Sequence, residues 1–237
     1  MVDVFSISDP RIRDDVLDGM HAASYQFGVP IVGGHLHPDT PYSVIDVAIL
    51  GTAARDAVIY SHTANTGDVV IIAIDLDGRI HPSCALNWDS VTMKSGEKVR
   101  AQIQVLEQLG REHLVTAGKD ISNPGIIGTL GMLLEVSEKG ARIDLDHIPR
   151  PDLNTHSLTF EQWIRCYPGM GFVLTARPEH EKEITRIFSE VGMTAHSVGV
   201  VNSSRELTIS YEGEDTTVFD FSRNGVMHLF SDTPSCP

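Results

Sequence analysis

The sequence predicts an α+β fold, with helices packed on one face of a mixed, mainly antiparallel sheet. Two observations carry this. The runs YSVIDVAIL (residues 42–50) and VVIIAI (residues 69–74) are apolar, rich in β-branched residues and of strand length. The first alternates too little for an exposed face and is expected to be buried on both sides. From Val69 onward, strand-like and helix-like segments follow one another without strict β-α alternation, which disfavours a parallel sheet with crossover helices.

Taken in order, residues 1–8 read as a strand. Asp9-Pro10 starts a helix, with Asp9 as cap and Pro10 as first helical residue. Ile12, Val16, Met20, Ala23 and Phe27 mark one face of that helix, and Gly28 closes it. GGHLHPD (residues 33–39) then forms a double-glycine bend ahead of the strand at 42–50. Residues 51–66 look like a crossing segment, and Gly67-Asp68 is a turn before the strand at 69–74. Asp75-Leu76-Asp77-Gly78 is a tight turn, since Asp and Gly satisfy and permit turn backbone. Residues 79–95 read as irregular and hold Trp88. A helix over 97–109 turns Val99, Ile103 and Leu106 inward, and residues 114–117 form the next strand. Later strands are expected at 141–145, 171–175, 195–201, 207–211 and 218–221, with helices at 160–166 and 178–191. The best internal boundary falls near residues 51–57.

The stretch AGKDISNPGIIGTLGMLL (residues 117–134) is the richest in chemistry. It reads as a strand end, a polar loop and a helix start, with Pro124 as first helical residue and Ser122 or Asn123 as cap. Gly125, Gly128 and Gly131 leave one helix face bare. Each glycine costs about 1 kcal/mol against alanine in a helix, so three of them predict close packing against another backbone. Lys119 and Asp120 lie in the loop at the helix N-terminus, where free N–H groups favour an anion. Two readings stay open: a phosphate or substrate-anion site, and an ordinary capped loop.

Composition bounds the rest. The 237 residues are 41% hydrophobic, enough for a packed core, and the formal net charge is −14. That charge, with no Lys/Arg stripe, argues against a phosphate-backbone binder. No apolar run is long enough to span a bilayer, and the N-terminus lacks the basic start of a secretion signal. Cys84, Cys166 and Cys236 are widely spaced and form no C-x-x-C pair, so reduced thiols in a cytoplasmic protein are expected.

Three segments together carry a family resemblance: GVPIVGGHLHPDTPYSVIDVAILG, ANTGDVVIIAIDLDG and AGKDISNPGIIGTLGMLLE, with WIRCYPGMGFVLT behind them. Their order and spacing resemble the AIR synthase-related superfamily, which includes aminoimidazole ribonucleotide synthetase, thiamine monophosphate kinase, selenophosphate synthetase and the hydrogenase maturation dehydratase. The resemblance implies a two-domain protein whose first domain pairs with that of a second subunit in a barrel-like homodimer core. It implies ATP and Mg²⁺ in a cleft between domains and subunits. Its function would be ATP-dependent phosphoryl transfer to a small phosphate-bearing metabolite, or activation of it, where positioning and charge neutralisation do most of the catalysis.

On this resemblance residues 1–54 are the remnant of the N-terminal ATP-binding and dimerisation domain, 55–223 the C-terminal domain and 224–237 a tail. The Asp-rich metal motifs expected ahead of VDVFSIS are missing. A truncated piece, a misplaced start codon or a naturally shortened form would each explain this, and the chain alone is expected to be catalytically weak or inactive. Asp120 matches the position from which the second domain points a polar group at the substrate. Gly33, Gly34, His35, Lys119, Ser122 and Asn123 would contact nucleotide or substrate. Kinase members usually carry Asp or Glu where His35 stands, so His35 is a poor assumption for Mg²⁺, which prefers oxygen.

Read from the residues, His35, His37 and Asp39 are close enough in sequence to form a transition-metal site, to touch a ligand, or simply to build a loop. Asp75 and Asp77 read as a turn before a cation site. Two rival functions remain beside the enzyme: a non-catalytic ligand-binding or sensor module, and a metal-binding protein using His35, His37 and Asp39.

Overall fold

The computed structural model describes residues 1–38, 40–223 and 225–227. The chain opens with β1 (Val2–Ile7), a 3-10 turn over Pro10–Ile12, α1 (Arg13–Phe27), β2 (Gly33–Pro38) and β3 (Val44–Ala48). A long irregular run leads to β4 (Val69–Ile74), the hairpin β5 (Arg79–His81) and β6 (Cys84–Asp89), α2 (Gly96–Arg111) and β7 (Ala117–Asp120). Then come α3 (Gly125–Val136), β8 (Gly140–Asp144), α4 (Phe160–Arg165), β9 (Tyr167–Pro168) and β10 (Gly171–Ala176). The last elements are α5 (Glu181–Glu190), β11 (Thr194–Asn202), β12 (Glu206–Tyr211) and β13 (Glu214–Asp220).

Seven strands form the main sheet in the order β13-β12-β8-β11-β4-β10-β7. Every neighbouring pair in it is antiparallel except β8 with β12. The mixed, mainly antiparallel α+β architecture is therefore as the sequence predicts. One detail differs: helices cover both faces. β4 explains why, because all six of its residues are buried. Val70, Ile72 and Ile74 point to a cluster with Leu130 and Leu133 of α3 and Trp163 of α4. Val69, Ile71 and Ala73 point to the opposite cluster, with Val105 and Leu109 of α2 and Ile184 and Phe188 of α5. Burial of a side chain of this size contributes roughly 1.5–3 kcal/mol, so a strand apolar on both sides demands two covers.

Other local expectations shift. Residues 79–95 are not irregular throughout but hold the β5–β6 hairpin, which pairs onward with β9. The inward face of α2 is Val99, Gln102, Val105 and Leu109, while Ile103 is 38% exposed. Residues 33–38 form strand β2 rather than a bend.

β2, β1 and β3 make a separate three-stranded sheet, with β1 parallel to β2 and antiparallel to β3. Phe5 and Ile7 are buried on one side of β1, but all five residues of β3 are exposed. The expectation that the run at 42–50 is buried on both sides is thus corrected. Val2, Val4, Leu36, Val44, Ile45 and Val47 stand between 37% and 48% exposed. α1 ties this part to the rest through polar contacts. Gln26 Nε2 donates to the carbonyls of Val91 (2.7 Å) and Lys94 (2.8 Å), and Arg100 donates to those of Gln26 (2.9 Å) and Tyr25 (3.2 Å).

Candidate functional site

β7 is an edge strand of the main sheet, and the run before β4 lies along it. Gly118 N–H donates to Tyr60 O at 3.0 Å. Gly110 admits the same run on α2, since a Cβ there would fall 2.2 Å from Ala57 O. Between this run, α2 and the strands β7 and β10 is a hollow of about 410 Å³. Its walls include Ala57, Val58, Leu106, Phe172 and Leu174, and Lys119 and Asp120 lie on its β7 side. The two charged residues belong to the strand, not to the loop the sequence suggested: Lys119 pairs with Val173 and Asp120 with Phe172. The Lys119 Nζ to Asp120 Oδ1 distance is 3.6 Å, with side chains 24% and 70% exposed. An ion pair so open contributes at most about 1 kcal/mol, which leaves both groups free to re-pair with a ligand.

Beyond Asp120 the chain turns into α3. Neither Ser122 nor Asn123 caps it; the cap position is Pro124, with no side-chain hydrogen bond. Ser122 instead donates its N–H to Thr129 Oγ1 (3.2 Å) and accepts from Gly125 N–H (2.8 Å). The first-turn amides of α3 thus lack the side-chain acceptor that would ordinarily satisfy one of them. Two of the three helix glycines meet other elements. A Cβ on Gly125 would lie 2.7 Å from Ile164 O, and one on Gly131 would lie 2.7 Å from Val226 Cγ2. Among the described residues Gly128 faces only its own Pro124.

Of the residues singled out from sequence, Lys119 and Asp120 share the hollow, with Ser122 and Asn123 immediately behind in the chain. Gly33, Gly34, His35 and His37 stand on β2 and do not line it. Asp39 lies outside the described residues, as do 228–237 of the tail. Among the described residues no three His, Cys, Asp or Glu side chains gather as a metal cage. Gly34 has a steric reason to be glycine: a Cβ there would strike Asp3 Oδ1 at 1.8 Å.

Sequence reasoning missed a buried polar group. Asp75 makes the expected turn, accepting from Asp77 N–H at 3.0 Å. It is also fully buried, and its Oδ2 accepts from Lys94 Nζ and, at 2.6 Å, from Gln102 Nε2. The available signal was a carboxylate placed directly after six apolar residues. Cys84 was likewise given no role. The Tyr167 hydroxyl lies 2.9 Å from its sulfur and, with the Leu86 amide, holds the thiol below its usual range. Burial pushes the Cys166 thiol up to about 11. Since the thiolate is the reactive form, iodoacetamide at neutral pH is expected to label Cys84 well ahead of Cys166. Peptide mass mapping of native protein checks this, and equal labelling would refute it.

A seven-stranded sheet covered on both faces, with a hollow at its edge strand, defines an α+β domain. The chain belongs to the AIR synthase-related family: the profile described as AIR synthase related protein, C-terminal domain, matches residues 56–212. Uncharacterized protein MJ0640 of Methanocaldococcus jannaschii is 46% identical over 223 residues, covering 94% of this chain and 68% of that protein. Uncharacterized protein sll0787 of Synechocystis is 36% identical over 215 residues, covering 91% and 65%. Among solved structures, T. maritima PurL complexed with ATP matches with TM-score 0.70 at 19% identity, covering 97% of this chain and 37% of that one. Hydrogenase maturation protein HypE in complex with ATP matches with TM-score 0.67 at 15% identity, covering 92% and 72%. These last two are likenesses of fold. The chain spans about two thirds of the two curated relatives' length and little more than a third of that PurL chain.

Proposed function

We propose that this chain forms the substrate-facing part of an ATP-dependent protein that phosphorylates, or otherwise activates, a small phosphate-bearing metabolite. In this reading residues 55–223 are the catalytic wall, and residues 1–54 belong to the nucleotide-binding and dimerisation part. The observation that carries it is Lys119 with Asp120 at the edge-strand hollow, followed by a helix start without a side-chain cap, in a family whose fold neighbours are solved with ATP.

Lys119 would neutralise phosphate charge beside the two carboxylates of the hollow, Glu107 and Asp120, and α3 begins a short turn further along the chain, with a dipole that favours negative groups at its start. Asp120 would orient the nucleophile and take up its proton, or contribute one oxygen ligand to Mg²⁺. That ion commonly takes one or two carboxylates and completes its shell with phosphate and water. When bound, ATP supplies the transferable phosphoryl group. The exposed apolar side chains on β1 and β3 support a homodimer through the N-terminal sheet, since unpaired apolar sheet surface favours association. No helix among the described residues is long and apolar enough to cross a membrane.

Equilibrium dialysis with Mg-ATP and with a sugar phosphate tests the reading. Lys119→Met is expected to weaken the phosphate ligand roughly tenfold, the equivalent of about 1.4 kcal/mol. Asp120→Asn is expected to leave sugar-phosphate binding nearly intact and to lower any turnover. Binding without turnover is what a chain lacking the Asp-rich metal motifs is expected to show, and failure to bind either ligand would overturn the proposal.

A further inference from the structure

The three-stranded sheet carries a second set of chemistry-bearing side chains, apart from the hollow. Strand alternation puts His35 and His37 on the same face of β2, because side chains two residues apart point the same way. Their ring centroids are 4.5 Å apart in an edge-to-face arrangement. Both are exposed, and among the described residues neither imidazole has a hydrogen-bond partner. Among the described residues β2 is also an edge strand, paired only with β1. The residues opposite on β1 are Val4 and Ser6, so no charged neighbour on that strand competes for the nitrogens.

From this placement we infer that His35 and His37 form a two-ligand chelate for a borderline divalent transition metal. A tetrahedral ion with metal–nitrogen bonds of about 2.0–2.1 Å needs its two nitrogens about 3.3 Å apart. Two imidazoles already in ring contact reach that spacing by side-chain rotation alone. Imidazole suits Zn²⁺, Ni²⁺ and Cu²⁺ and is a poor ligand for Mg²⁺. Among the described residues no third His, Cys, Asp or Glu joins the pair, so the ion's other positions stay open to water or to an added ligand. The pair stands without Asp39, which lies outside the described residues. The site is independent of the nucleotide reading and survives its failure.

The test is dialysis of the purified chain against Cu²⁺, Ni²⁺, Zn²⁺ and Mg²⁺ separately, followed by elemental analysis, with electron paramagnetic resonance of the Cu²⁺ form. The expected result is one tight Cu²⁺ per chain with hyperfine structure from two nitrogens, weaker Ni²⁺ and Zn²⁺, and no retained Mg²⁺. His35→Gln and His37→Gln should each weaken Cu²⁺ at least tenfold, while His62→Gln should not. These are exposed side chains, and circular dichroism verifies that the variants fold. Unchanged Cu²⁺ retention in both β2 variants, or a spectrum with one nitrogen or none, would overturn the assignment.

Discussion

Lys94→Met is expected to destabilise the protein by about 3–5 kcal/mol, the usual cost of stranding a buried charge. The Lys94 side chain is 8% exposed and Asp75 fully buried, so solvent cannot replace the lost ammonium. Lys94 Nζ also donates to Asp77 O at 2.6 Å, which closes the turn after β4. After the substitution, Asp75 would retain the Gln102 amide and the Asp77 N–H, two neutral donors for a full negative charge. Methionine keeps the length of the stem, so the loss isolates the charge rather than the packing. Urea unfolding followed by fluorescence measures it as a lowered midpoint at constant slope. The double variant Lys94→Met with Asp75→Asn is expected to recover a large part of the loss, because the buried charge is gone while hydrogen bonds remain. A single-variant loss below about 1 kcal/mol would mean that water reaches Asp75 and that the pair behaves like a surface one.

That cluster also marks where sequence reading reaches its limit. β4 was legible because six apolar β-branched or small residues in a row have one good solution, a strand buried on both faces. Its consequence, helices on both faces, follows from the same six residues once their alternation is taken literally. The inward face of α2 is hard to read because one of its positions is Gln102, whose main partner there is Asp75, 27 residues earlier. A polar residue in an apolar stripe looks like a break in the stripe until its distant partner is known. The strand placement of Lys119 and Asp120 was hidden for a related reason. Charged residues read as loop, yet an edge strand tolerates them because one side of its ladder is open. The run at 42–50 shows the opposite case. Its composition demands burial, and the described chain leaves β3 exposed. The residue pattern reports a need for a cover without naming what supplies it. At the hollow, Lys119 and Asp120 were legible as candidates from their place beside a glycine-rich helix. The contact with residues 53–59 was not, since Gly110 and Gly118 gain meaning only when that run is laid across them.

The same substitution at two glycines is expected to act with opposite sign. Gly125 opens α3 with φ +73°, a region where a side chain costs roughly 1–2 kcal/mol. A Cβ there would also lie 2.7 Å from Ile164 O and 2.9 Å from Arg165 Cα. These are backbone atoms at the end of α4 and cannot swing aside, so overpacking adds about 1–3 kcal/mol. Gly125→Ala is therefore expected to lose about 2–5 kcal/mol and to push α3 away from α4. Because Gly125 follows Lys119 and Asp120 by only a short turn, that shift should also weaken phosphate binding at the hollow. Gly19 sits inside α1, and an added Cβ would meet nothing within 4 Å among the described residues. Gly19→Ala is expected to gain about 0.5–1 kcal/mol, the helix propensity difference with no contact to offset it. Thermal unfolding of the two variants side by side checks the pair. If Gly125→Ala proves neutral, α3 and α4 are not in close contact there, and the glycine face has no packing role. If it is destabilised but binds phosphate ligands like the unaltered chain, the helix start is structural, and recognition at the hollow must rest on Lys119 and Asp120 alone.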